Sequence, residues 1–158
     1  MPIPIDDPAR KLTLTQSDKL PHLGLVGDTY TITVTGEQTG GRYVRATAIA
    51  PVGDPGPPLH YHENEDECFL VQEGRMSFYI DGEWNEVEPG TLVFVPKGVV
   101  HSLKNVGDTP ARTLFSALPA GFEIFFTRCE AEFKRPGGPD MSRIVEIAGE
   151  HGIRFVQA

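Results

Sequence analysis

The sequence predicts an all-β fold: a sandwich or barrel of short antiparallel strands, preceded by an extended arm and followed by two helices. Three observations predict it. Gly and Pro supply 17 and 14 of the 158 residues, about a fifth against a usual share of roughly 12%. Segments rich in β-branched residues recur at roughly ten-residue spacing, each bounded by turn formers. After Pro119 the apolar period changes from two to that of a helix.

Residues 1–22 contain prolines and little periodicity, and are expected as an arm. The barrel is expected over 23–118 and the helical tail over 119–158, as a single domain. Thr29–Thr35 (TYTITVT) alternates as a half-buried strand should, and Arg42–Ala50 follows the turn Thr39-Gly40-Gly41. PVGDPGPP, residues 51–58, cannot be helix and its prolines do not suit a central strand. Glu67–Gln72 and Arg75–Ile80 read as a strand pair joined around Glu73-Gly74. Asp81-Gly82 is a hairpin signal, because a type I′ turn needs positive φ at both central residues. Glu83–Val87, Thr91–Val95, Val99–Asn105 and Arg112–Leu118 complete about eight strands. Phe122, Phe125, Phe126, Cys129 and Phe133 then fall on one face of a helix. Arg135–Pro139 breaks it, and Asp140 is placed to cap a second helix with Met141, Ile144, Val145 and Ala148 along one side.

The charge balance is 14 basic against 22 acidic residues, net −8. Such a chain is repelled by phosphate backbones and anionic lipid, so neither nucleic acid nor a membrane is expected as a partner. The excess is local: nine acids and one base, Arg75, lie between residues 63 and 88. No basic, apolar leader opens MPIPIDDPAR, and Cys68 and Cys129 are too few for a disulfide framework. A cytoplasmic protein with free thiols is expected.

Chemistry concentrates in two patterns. In His60-Tyr61-His62, an extended strand points both imidazoles to one face, and the strand opening at Glu67 is expected to run antiparallel to it and return a carboxylate there. In Gly90-x5-Pro96-x-Gly98-x2-His101-x3-Asn105, a Pro-Gly turn precedes His101, the candidate fourth ligand. Three imidazoles and a carboxylate suit one divalent transition metal (Fe, Mn, Ni, Co, Cu or Zn), with positions left for water, dioxygen or a chelating substrate. Glu63, Glu65 and Asp66 are rival carboxylates; Asp66 falls one step off and would face the opposite way, so Glu67 is favoured. The others are expected to be solvated. Cys68 and Tyr61 should point away from the metal, and His22 and His151, outside any pattern, should lie at the surface.

HxH(x)4E(x)6G, as His60, His62, Glu67 and Gly74, resembles the first motif of the cupin superfamily, and Gly90, Pro96, Gly98, His101 and Asn105 fill every position of its second. The first motif's leading glycine has no counterpart at the usual interval; Gly53 and Gly56 lie in that loop. The resemblance covers roughly residues 40–118. It implies a small jelly-roll β-barrel with metal ligands at His60, His62, Glu67 and His101, and a homodimer paired through sheet edges and the arm. The run PPLHYHENEDECFLVQEG and the tail opening GFEIFF resemble single-cupin proteins similar to flavonol (quercetin) 2,3-dioxygenases. That likeness implies attack of dioxygen on a small enolisable or aromatic substrate, with Glu67 both ligand and catalytic base. A non-catalytic small-molecule-binding cupin, or a cupin isomerase or decarboxylase, is the alternative.

Strand parity nominates the pocket. Phe69 and Val71 share a face with Glu67, and Val99 and Leu103 with His101. Phe78, Phe94 and Phe115 are further aromatic candidates, and Phe122 and Phe126 are the helical ones. Such walls suit a flat, apolar substrate.

Overall fold

The computed structural model describes residues 12–25 and 27–157. The expected arm falls largely outside them; within residues 12–22 the one regular element is a 3-10 turn at Ser17–Lys19. The strands that follow are β1 (Leu23–Leu25), β2 (Asp28–Val34), β3 (Val44–Ala50), β4 (His60–His62) and β5 (Asp66–Glu73). Then come β6 (Met76–Ile80), β7 (Glu83–Val87), β8 (Leu92–Val95), β9 (Ser102–Asn105) and β10 (Ala111–Leu118). Helices α1 (Phe122–Phe133) and α2 (Met141–Glu150) precede a last strand, β11 (Ile153–Phe155).

The strands form antiparallel sheets ordered β1-β2-β3-β10-β5-β8, β7-β6-β9 and β11-β4, and His60 makes an isolated bridge to His101. This is the jelly-roll arrangement expected, with two C-terminal helices. Two expected pairings differ. β5 and β6 are not a hairpin: β5 lies between β10 and β8, while β6 lies between β7 and β9. The chain passes from one sheet to the other at Gly74, where φ is +80° and a Cβ would lie 2.8 Å from Ala111 Cα. Close approach of two backbones, rather than a turn within one sheet, is what glycine permits there. Likewise β4 pairs with β11 and not with β5. Asp81 and Gly82 do form the β6–β7 hairpin, with φ of 52° and 88°.

Burial along β5 alternates, with Glu67, Phe69 and Val71 inward, and β10 alternates through Ala111, Thr113, Phe115 and Ala117. Period-two burial is what a sheet with one face on the core requires. The apolar cluster joins these residues to Phe122, Phe126 and Cys129 of α1 and to Ile144, Ile147 and Ala148 of α2. Asp140 caps α2 by accepting from the Ser142 and Arg143 amides. The apolar face of α2 is rotated from the one expected: Ile147 is buried, whereas Met141 and Val145 are more than half exposed.

Candidate metal centre

Four side chains converge inside the barrel from three stretches of chain. β4 holds His60 and His62 on one face because residues two apart in a strand point the same way. It is fixed by β11 along one side and, on the other, by reciprocal backbone hydrogen bonds between His60 and His101 of 3.1 and 2.9 Å. Glu67 comes from the inward face of β5, and the turn at Pro96–Gly98 delivers His101. One potential ligand atom from each of His60, His62, Glu67 and His101 lies within 4.8 Å of all the others, and all four residues are buried.

Hydrogen bonds outside the cluster set which ring nitrogen faces in. His60 Nδ1 donates to the Pro58 carbonyl at 2.8 Å and His101 Nδ1 to the Val99 carbonyl at 2.9 Å. His62 Nδ1 donates to Glu65 Oε2 at 3.2 Å. A carbonyl or carboxylate oxygen only accepts, so the proton sits on Nδ1 and each Nε2 presents a lone pair. His62 Nε2 and His101 Nε2 lie 3.3 and 2.8 Å from Glu67 Oε2. These are close approaches without hydrogen-bond geometry, and all three atoms are buried without a hydrogen-bonding partner. Orphaned lone pairs aimed at one another are costly unless a cation or proton lies between them. The donor set therefore fits a divalent ion of the imidazole-binding kind.

Burial and neighbouring charge pull the groups of the cluster in different directions. Burial, reinforced by the neighbouring His101 ring, pushes His60 down to about 4, so it is neutral near pH 7. Burial would raise the Glu67 carboxyl, but the approach of His101 and the potential of His62 and His60 hold it below the usual carboxylate range. His101 shifts the other way: burial opposes its charge, yet Glu67 beside it carries it above an ordinary imidazole.

The cluster opens onto a cavity of about 540 Å³. Of the expected pocket residues, Phe69, Leu103, Phe115, Phe122 and Phe126 line it. Phe122 packs edge-on to the His62 ring at 4.9 Å and lies 4.5 Å from Phe126, which stacks on Tyr30 at 4.4 Å. The other four do not line it. Phe94 is 63% exposed, because it pairs with Cys68 on the outer face of β5. Val71 and Phe78 are fully buried in the core behind the cavity wall. Val99 sits in the turn before His101 and contributes its carbonyl instead.

Several residues were not foreseen. Glu65, expected in solvent, is 6% exposed beneath His62; the bend after β4 escapes the parity rule that places strand residues. Asp66 instead accepts from the Lys97 amide at 2.9 Å, fastening the Pro96–Gly98 turn. Glu63 pairs with Arg154 of β11 at 2.9 Å. His151, expected at the surface, is half-buried with Nε2 3.1 Å from Arg128 Nη1. Asp28, Tyr30 and Asp54 line the cavity as well, and no motif contains them.

Fold and site together define a class. Residues 47–116 match the cupin domain family. Over 103 residues it is 31% identical to the quercetin 2,3-dioxygenase of Bacillus subtilis, covering 65% of this chain and 30% of that one. In each of the first curated relatives it matches, less than two thirds of the length is covered. Among solved structures, a predicted oxalate decarboxylase of Thermotoga maritima superposes with a TM-score of 0.63 at 19% identity, over 68% of this chain and 99% of that one. The polyketide cyclase RemF of Streptomyces resistomycificus gives 0.58 at 23% identity, over 68% and 80%. These two likenesses concern the fold.

Proposed function

We propose that the chain is a metal-dependent dioxygenase acting on a small enolisable or hydroxylated aromatic substrate of flavonol type. The observation that carries this reading is the buried cluster of His60, His62, Glu67 and His101 opening onto an aromatic-walled cavity. The likeness to the Bacillus enzyme supports it. The three imidazoles and Glu67 would hold one divalent transition metal through their inward atoms. When bound, such an ion polarises a substrate oxygen and mediates electron flow from substrate to dioxygen. The chain's own part is placement and proton handling. Glu67, kept ionised by its imidazole neighbours, accepts the proton of the substrate hydroxyl at its carboxylate oxygen. Phe69, Phe115, Phe122 and Phe126 flank a flat ring and exclude water from it.

The test is oxygen uptake by protein of defined metal content presented with a panel of flavonols. Uptake that requires both metal and a flavonol is expected. Tight ligand binding with no uptake contradicts catalysis and leaves a small-molecule-binding cupin. Substrate turnover without oxygen consumption replaces the dioxygenase by an isomerase or decarboxylase.

The reading includes a cytoplasmic homodimer. Among the described residues no helix is long and apolar enough to cross a membrane. Leu92 and Phe94, exposed on the edge strand β8, are the apolar face a second copy would cover. Light scattering is expected to give twice the chain mass; a monomer at micromolar concentration contradicts it.

A further inference from the structure

The cavity has polar groups apart from the metal-ligand cluster. Asp28 and Tyr30 share a face of β2, and Asp54 projects from the Pro-Gly loop between β3 and β4. The Tyr30 hydroxyl donates to Asp28 Oδ2 at 3.3 Å. Asp28 Oδ1 is buried without a hydrogen-bonding partner. Asp54 is 8% exposed, and among the described residues no hydrogen bond reaches its carboxylate. The two carboxyl groups lie within mutual hydrogen-bonding reach.

Tyr30 occupies Asp28 Oδ2, but among the described residues no N–H or O–H donor reaches Asp28 Oδ1. The two carboxyl groups are not in a turn cap or an ion pair, and the wall around them is apolar, with Leu25, Ala48, Ala50 and Phe126 beside them on the cavity surface. An unsatisfied carboxylate in such a wall is costly, so acceptors of this kind mark a place where a ligand supplies the donor.

We propose that Asp28 and Asp54, with Tyr30 positioning Asp28, form a second recognition point in the cavity that accepts a hydrogen bond from a hydroxyl group of the substrate remote from the atoms facing the metal cluster. This rests on the small hydroxylated aromatic reading given above. Burial and the mutual repulsion of the two acids push Asp28 up to about 7. Asp28 is thus partly protonated near neutrality, and acceptor oxygens remain on the two side chains of the pair. A hydroxyl suits it better than an ammonium group, because a filled metal site of three imidazoles and one carboxylate already carries positive charge in the same low-dielectric space.

The experiment is calorimetric titration of the metal-reconstituted full chain with two probes. One is 3-hydroxyflavone, which offers only a chelating oxygen pair; the other is a flavonol with the same pair and two further hydroxyls on its pendant ring. Wild type is expected to prefer the hydroxylated probe, and Asp54→Ala to weaken that probe roughly 10- to 100-fold while leaving 3-hydroxyflavone unchanged. Asp54→Asn, which keeps an acceptor oxygen, retains part of the preference and guards against a folding defect. Equal affinity of wild type for both probes, binding of neither, or tighter binding of an amine-bearing analogue overturns the proposal. His101→Ala separates it from the metal reading. Preference for the hydroxylated probe that survives loss of metal supports the acidic pair and counts against metal chelation of the substrate. Metal-dependent binding without preference does the reverse.

Discussion

At the residue scale, the chemistry of the site depends on which atom of each side chain faces inward. Glu65 acts on the site only through His62, whose Nδ1 proton it accepts at 3.2 Å. Removing that carboxylate frees the ring to rotate or change tautomer. Glu65→Ala is therefore expected to lower metal affinity roughly 10- to 100-fold in a chelator competition, with little change in the fold reported by circular dichroism. An unchanged affinity would show that His62 is oriented by packing against Phe122 instead. A second residue-scale prediction concerns pH. Asp28, facing Tyr30 and Asp54, is pushed up to about 7 mainly by burial and then by Asp54. The folded chain thus keeps a proton that the unfolded chain loses near pH 4. Stability from this group is present below that point and falls as pH rises toward 7, then levels off. At constant metal content, Asp28→Asn should flatten the fall in melting temperature between about pH 5 and 7.5. A slope identical to wild type would mean that Asp28 titrates normally.

At the element scale, the junction between the sheets at Gly74 is a sensitive point. Gly74→Ala forces a Cβ against Ala111 at a φ of +80°, and is expected to cost about 1–3 kcal/mol by urea titration. A neutral result would show that β5 and β10 can part locally. Most strands were legible in the sequence from their β-branched runs between turn formers, and β5 and β10 alternate with one face inward; α1 was legible because its phenylalanines recur at helical spacing. Which strands pair was not legible. Hydrogen-bond partners follow from the route of the chain between sheets, and parity carries no trace of it. β11 shows the limit most clearly. Three residues after a helix have no measurable period, yet Ile153 and Phe155 pair with His62 and His60 and hold β4 in place. Phe94 failed for a related reason: β8 is apolar on both faces, so hydrophobicity could not tell cavity from solvent. The metal-ligand candidates stood out because a cluster at one depth of a barrel needs short, fixed spacings. Asp28 and Asp54 meet only in three dimensions.

At the scale of the whole molecule, the barrel brings two local patterns to one point and the C-terminal helices close a cavity over it. The charge of −8 gathered into residues 63–88 is spread on folding. Glu65 orients His62, Asp66 fastens a turn, Glu63 meets Arg154, and Glu67 stands among the imidazoles. Elemental analysis of wild type beside Glu67→Gln and His101→Ala, each purified, stripped with chelator, reloaded with one divalent metal and dialysed, tests the central claim most directly. One equivalent of metal per chain in wild type, and near none in either variant at unchanged fold, is the result predicted. Wild type that returns metal-free, or variants that keep a full equivalent, would contradict it.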